Sequence, residues 1–437
     1  MFKVKELLLT PELFENPIFR IHLRCFQLYG YVASEEQRQP GLALVRCCVF
    51  TASIWLSCAL MFTRNVLALS YEQLSDGATN WATAVQYFAV SIATMNAFAQ
   101  RERVVVMLRG AHADLQRLML QADAQELELL LSTQRYVRSI TLLLWVPSVV
   151  AGLLAWLDCI YRTIFLPQTV FNSAAVRRGE AQPILLYKLY PFGQLCDNFI
   201  IGYLGPWYAL FLGVSTIPLW HTFVSCLMKY VTFKQQLLNR RVRQMNVRTL
   251  WCYFGFITLT FVTLPQVQRL TSRRIKPAEL NYWRLKLCAT FVEEQQQIRS
   301  FVHQIQQLIC VPVMADFIIF SVLMCFLLFA LMMGMPSKID YFFIFIYLFV
   351  MAGILWLYHW HATLIVECQN ELQFAIYDCN WYTFGLPVQK MLQFIMMDAQ
   401  RPLVMRALLV DLNLRTFLDI MRGAYSYFNI LRSTQKY

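Results

Sequence analysis

Long uncharged stretches separated by short charged segments recur along this chain. A spanning helix needs about 20 apolar residues to cross a hydrocarbon core of roughly 30 Å. Seven stretches answer to that length: 47–63, 81–100, 139–157, 198–228, 317–337, 341–366, and a weaker last one, 410–434, which carries Arg415, Asp419 and Arg422. The fourth would make a helix of about 46 Å at ~1.5 Å per residue, so it must tilt or continue beyond the membrane. Kinks are expected in it at Gly205-Pro206 and Pro218, and in the third run at Pro147. The sixth run, Tyr341 to Val366, is long for the same reason and leads into a helix through Glu367 to Tyr377. Within 101–138, AHADLQRLMLQADAQELELLLSTQRYV repeats its apolar positions at helical spacing and reads as an extension continuous with the bundle. No internal repeat and no Gly/Ser- or Pro-rich linker divides the chain, which reads as one domain over 1–437. MFKVKELLLTPELFENP offers only three leucines before Pro11 and Glu12, so the first span is expected to insert uncleaved.

Charge fixes the orientation. Segments 1–46, 101–138 and 229–299 hold six, six and thirteen Lys+Arg, whereas the alternate loops 64–80, 158–190 and 335–340 hold one, four and one. Positive charge near spans marks the cytoplasmic side. The N-terminus is therefore cytoplasmic and, with seven crossings, the C-terminus extracellular. The net charge of +12 is accounted for by this bias, with contact to anionic membrane lipid as a modest addition. No nucleic-acid partner is expected, because no basic stripe interleaved with exposed aromatics lies outside these loops.

One stretch complicates the count. TLWCYFGFITLTFVTLPQVQ, residues 249–268, is uncharged and long enough for an eighth span, yet basic blocks flank it on both sides. Crossing would put one block outside, so a re-entrant, interfacial or protein-packed segment is expected. Its β-branched and aromatic residues make it a poor intrinsic helix.

Composition excludes more than it selects. At 58% hydrophobic and 15% charged, against roughly 45–50% and about 25% for soluble domains, neither a soluble globule nor a disordered chain fits. The 13 Cys form no C-x-x-C pair, which disfavours a zinc or redox scaffold. Phosphate-loop, dinucleotide, nucleophile-elbow and zinc-protease motifs are missing, so no enzymatic activity and no cofactor are expected. His359 and His361 sit two apart on a helix and point to different faces, which suits packing better than joint metal ligation. Asp158, Asp197 and Asp316 fall at span edges, where water is expected to reach them, which disfavours proton-coupled transport. The last span is different: its charges, with Ser426, Asn429, Arg432, Ser433 and Thr434, give it a polar face that must meet water or protein. A channel wall and buried helix packing stay open on these residues alone. Aromatic side chains in the spans, among them Trp81, Tyr87, Phe88, Trp156, Tyr203, Trp207, Phe343 and Tyr347, would suit a pocket for a small apolar ligand or, equally, a membrane belt or core filling.

AIYDCNWYTFGLPVQKMLQFIMMDAQRPL (375–403), followed by LNLRTFLDIMRGAYSYFNILR (412–432), resembles the insect odorant receptors, in the order CNWY, QRPL, LRTF and SYF. The likeness extends over nearly the whole chain, including PAELNYWRL and HQIQQLICVPVMADFIIFS. It counts against a G-protein-coupled receptor, which has the opposite orientation and whose D-R-Y and N-P-x-x-Y motifs are missing.

The resemblance implies an all-α membrane protein. Its seven transmembrane helices would lie at about 42–66, 81–100, 139–161, 198–228, 312–335, 341–366 and a split seventh at 383–434, with cytoplasmic extensions forming an anchor domain. It implies a tetrameric, non-selective cation channel in the plasma membrane of olfactory neuron dendrites. There a tuning subunit binds small volatile molecules and assembles with a common co-receptor. By the same resemblance the pocket would involve Ala84, Tyr87, Phe88, Gly152, Trp156, Tyr203, Trp207 and Tyr347. The pore would be lined by Tyr427, Ile430 and Thr434, and the subunit anchor would use Trp381, Tyr382, Leu392 and Ile395. The block at 249–268 departs from the family's usually charged loop; it is either selected structure or a retained intron. An extracellular Cys159–Cys196 disulfide stays open. A gustatory-type receptor channel shares the fold, and a membrane transporter is the competing class; substrate flux without current would mark the latter.

Overall fold

The computed structural model of the chain describes residues 8–35, 40–68, 74–165, 205–254, 277–333, 338–408 and 410–434. In chain order its helices are α1 (Arg20–Tyr29), α2 (Pro40–Ala68), α3 (Leu74–Ala99), α4 (Arg101–Gln121), α5 (Ala124–Phe165), α6 (Gly205–Arg243), α7 (Met245–Phe254), α8 (Pro277–Met333), α9 (Lys338–Tyr377), α10 (Leu386–Ala399) and α11 (Leu414–Thr434). Two short pairings complete it: Leu8–Leu9 parallel to Ala33–Ser34, and Arg406–Ala407 antiparallel to Val410–Asp411.

Seven of these helices correspond to the seven apolar runs. Five are long and apolar enough to cross a membrane: Gly41–Leu67, Ala124–Leu154, Trp207–Arg243, Pro277–Met332 and Ile344–Tyr377. The other two, α3 and α11, are more polar, for different reasons. In α3 the polar side chains Thr83, Gln86, Ser91 and Thr94 are all buried, because the helix is wedged between α2 and α8. In α11 the charges stay at the surface.

The long helices overshoot the apolar runs because their sequences keep helical periodicity past the membrane. α8 has 57 residues, about 86 Å at ~1.5 Å per residue, far more than a bilayer core needs. α6 is the central element. It packs against α5, α8 and α9, and 78% of its apolar window is buried, compared with 28% for α5. Pro147, Pro218 and Pro312 all lie inside continuous helices. Gly205-Pro206 stands at the start of the described part of α6.

The expected extension between the second and third spans is two helices. The chain breaks at Ala122 and Asp123, and only α5 is continuous with the span. Asp123 caps it by accepting the Glu126 N–H at 2.6 Å. Glu126 is fully buried and receives Arg241 at 2.9 Å and Arg248, while Arg241 also reaches Glu294. One carboxylate thus ties α5, α6 and α7 together at the arginine-rich end, the face that the charge asymmetry assigns to the cytoplasm. Burial works against charge at Arg241, but Glu294 and Glu126 outweigh it and raise its pKa; at Arg248 burial prevails and the pKa is lowered.

α7 takes in the first six residues of the 249–268 block and packs against α8, with Thr249 and Leu250 buried, so this part is helical and protein-packed. The remainder of the block, Tyr203 and Cys196 lie outside the described residues. α1 enters the bundle beside α6: Phe26 meets Phe223 edge-on at 4.7 Å and His22 Nε2 lies 3.0 Å from the Thr222 hydroxyl. It ends at Gly30, whose φ of 83° and close approach to the Ala43 carbonyl exclude any side chain.

Candidate ligand site and last helix

A small apolar cluster stands apart from the main core at the ends of α2, α3 and α6 opposite the arginine-rich end of the bundle. It consists of Cys58, Met61, Ala84, Tyr87 and Ala209, with Phe62 packed against it. Tyr87 is its largest member and is 2% exposed. Its hydroxyl donates to the Ala209 carbonyl. Its ring lies over Gly213, where an added Cβ would stand 2.6 Å from the hydroxyl oxygen and 3.0 Å from a ring carbon. Ala209 and Gly213 are four residues apart and share a helix face. That small-residue pair is the recess that admits the ring. Gly152 of α5 makes the corresponding close approach to Val214, where an added Cβ would stand 3.0 Å from Cγ2.

Aromatic rings gather around Phe62, and a separate pair joins α5 to α6. Phe62 meets Trp81 at 5.7 Å and Phe88 at 6.1 Å, Trp55 meets Phe88 at 6.4 Å, and Trp156 meets Trp207 at 4.9 Å, all steeply inclined. Phe88 and Trp156 are 40% and 36% exposed. Neighbouring helix positions point about 100° apart, so Tyr87 faces inward while Phe88 sits at the rim. Tyr347 packs on the main core and takes no part in the small cluster. The contributions of α2, Trp55, Cys58, Met61 and Phe62, were not anticipated from sequence, nor was Gly213. A small-residue pair at i, i+4 facing a tyrosine was the available signal.

Nearer the arginine-rich end, α6, α8 and α9 share a buried polar layer. His221 Nδ1 contacts the Tyr358 hydroxyl and lies 3.7 Å from the Asp316 carboxylate. Asp316 is 1% exposed, which corrects the expectation that water reaches it: the α8 sequence continues as helix past the apolar run, so this position is enclosed by neighbouring helices. His359 and His361 are both buried, and each Nδ1–H donates to the carbonyl four residues back, at 2.7 Å. His359 stacks on Phe317 at 5.1 Å and meets Phe417 of α11 at 6.0 Å. Among the described residues no group of three His, Cys, Asp or Glu is placed to hold a metal.

α11 rests on α8 and α9 along one side. Its start is moored by the Leu414 N–H donating to the Thr363 hydroxyl at 3.3 Å and by Asn413 accepting the Thr416 N–H at 2.9 Å. The other side is open: Tyr427 and Ile430 are 61% and 58% exposed, alongside exposed Arg415, Asp419, Arg422 and Ser426. Arg422 and Asp419 pair at 3.5 Å. Thr434 is the last described residue of α11.

In α10, Leu392 and Ile395 point inward and are buried, whereas Leu386, Phe394 and Met397 are exposed. Trp381 is half-buried and Tyr382 is 68% exposed in the turn before the helix.

These features can be set beside known proteins. Residues 73–425 match the family model described as 7tm Odorant receptor. Odorant receptor 56a of Drosophila melanogaster is 62% identical over 437 residues, all of both chains. Odorant receptor Or2 of Anopheles gambiae is 30% identical over 149 residues, 34% of this chain and 38% of that one. The fold matches the insect olfactory receptor OR5 from Machilis hrabei in complex with eugenol at a TM-score of 0.72, with 13% identity over 95% of this chain and 97% of that one. These relatives are receptors rather than enzymes. A family match over four-fifths of the sequence, a full-length relative and a shared helical architecture converge, and this multi-pass membrane protein belongs to the 7tm odorant receptor family.

Proposed function

We propose that this chain is the odorant-tuning subunit of a ligand-gated, non-selective cation channel. It assembles as a tetramer with a common co-receptor in the plasma membrane of olfactory neuron dendrites. The observation that carries this reading is α11: a membrane-level helix with exposed Arg415, Asp419 and Arg422 is untenable against lipid. A water-filled path at a junction between subunits resolves that conflict. Tyr427, Ile430 and Thr434, three and four residues apart, fall on one face and are the proposed lining. For the subunit anchor, the outward side chains Tyr382, Leu386, Phe394 and Met397 are available for contact, and Leu392 and Ile395 hold α10 in place behind them.

The ligand site is the cluster around Ala84 and Tyr87, with Gly152, Trp156 and Trp207 beside it and Phe88 at its rim. Tyr203 and Tyr347 are weaker members. Eugenol, bound by the Machilis receptor, exemplifies the ligand class: small and largely apolar. A ligand of about ten heavy atoms can gain at most ~15 kcal/mol, and micromolar affinity needs only about 8, so loose apolar recognition suffices. Opening requires tighter binding to the open state. Tyr87 is placed to supply this, since its ring and hydroxyl join α3 to α6.

Replacing Tyr87 with Ala is expected to shift odorant dose-response curves while co-precipitation with the co-receptor is unchanged. Identical curves for every active odorant would reject this pocket.

A further inference from the structure

Lys229 of α6 is the first charge after the uncharged run 198–228, and Tyr136 of α5 stands just before the run that opens at 139, so both lie at the cytoplasmic boundary of the bundle. The Lys229 Nζ sits over the Tyr136 ring, 4.7 Å from its centroid. That ring is fixed by its own hydroxyl, 3.3 Å from His361 Nε2; His361 Nδ1–H is already committed to the Leu357 carbonyl, so the tyrosine donates. An ammonium can only donate. Among the described residues it meets no hydrogen-bond acceptor and no carboxylate. Its titratable neighbours, the Cys368 thiol and the His361 imidazole, carry no negative charge at neutral pH. Other cations at this end of the bundle are matched: Lys234 by Asp114, and Arg241 and Arg248 by Glu126. Lys229 is half-buried and not sealed from the surface, so an anion can reach it from outside the chain.

The surface above it is apolar. On α9, Phe345, Phe349, Trp356 and Trp360 follow one another at steps of four, seven and four residues and share a face. The first three are exposed, and Trp356 stacks on Trp360 at 5.5 Å. α5 packs beside this stripe, with Leu144 against Gly353 on the same face, and exposes Leu143 and Val146. The stripe thus descends through the membrane level to the boundary where Lys229 lacks a counter-ion. A phospholipid carries acyl chains and a phosphate in that order, and lipids with net negative charge are the ones enriched in the cytoplasmic leaflet. We propose that this face holds an anionic phospholipid of the cytoplasmic leaflet, its headgroup accepting from Lys229 Nζ and its chains lying along the aromatic stripe of α9.

The full chain in detergent, supplied with phosphatidylserine or phosphatidylcholine of matched acyl chains and read by native mass spectrometry, tests this. The parent chain is expected to retain phosphatidylserine preferentially. Lys229→Met, which keeps the apolar stem, should lower the serine-to-choline ratio about fivefold, the worth of one basic side chain at an anionic surface. Lys229→Arg should preserve the ratio, and so should Arg103→Gln, which removes an exposed charge of α4 near the same boundary. Phe349→Ser, on the exposed stripe and away from the lysine, should reduce retention of both lipids alike. A ratio unchanged in Lys229→Met, lowered as much by Arg103→Gln, or retention indifferent to Phe349→Ser would overturn the proposal. Two further outcomes would also overturn it: displacement of the lipid by glycerol 3-phosphate, which would assign Lys229 to a soluble anion, and loss of the lipid whenever the chain multimerises, which would assign the face to a neighbouring subunit.

Discussion

His22 ties the N-terminal helix to the bundle through a neutral imidazole. Burial pushes its pKa down to about 4 from 6.5, and Nε2 lies 3.0 Å from the Thr222 hydroxyl. The sign of the resulting linkage is fixed. Between these two values the unfolded chain binds a proton that the folded chain does not, so this contribution to stability is complete above about pH 6.5 and is lost as pH falls toward 4. Acidification from pH 7 to 5 should cost roughly 2 kcal/mol from this group, at ~1.4 kcal/mol per pH unit. In His22→Gln the loss of unfolding free energy over that range should be smaller by that amount; an unaltered pH slope would reject the assignment. Tyr87 shows what sequence could convey at this scale. An aromatic residue in an apolar run was legible as a pocket candidate, but not the Gly213 recess beneath it, because nothing along the chain says which helix face meets which. The same limit misplaced Asp316: its distance from the apolar centre was readable, and its enclosure by α6 and α9 was not.

The elements are joined at the cytoplasmic end by one fully buried carboxylate. Glu126 serves Arg241 and Arg248 and sits in the first turn of the helix that Asp123 caps. Glu126→Gln keeps the shape and removes the charge, leaving two largely buried guanidinium groups short of a partner. Breaking a buried pair costs about 3–5 kcal/mol. Glu294 still compensates Arg241, which favours the lower end. Thermal unfolding in detergent should show this loss, and adding Arg248→Met should restore part of it. A glutamine variant as stable as the parent would reject the network. Helix identity was largely legible here because apolar runs and amphipathic periodicity persist for many turns. The break at Ala122 and Asp123 is masked because periodicity continues across it, although the Asp-x-x-Glu capping signature is present. For 249–268, charge on both flanks carried the reading, and the described part is packed against α8 as a helix.

For the whole molecule, topology was readable because the bilayer imposes a length on every span and a sign on every loop. Assembly is not visible along the chain, since a symmetric complex is held by surfaces. α11 carries that information physically: it packs along one side and shows charges and large side chains on the other. The central claim, that volatile binding opens a path along this helix, is tested most directly by single-channel recording. The cells should express Ile430→Cys together with a co-receptor and be exposed to a volatile and to an extracellular, positively charged thiol reagent. The account predicts discrete volatile-evoked openings whose amplitude the reagent reduces or abolishes in the cysteine variant but not in the parent chain. Openings of full amplitude that the reagent leaves untouched, or substrate flux with no current, would contradict it.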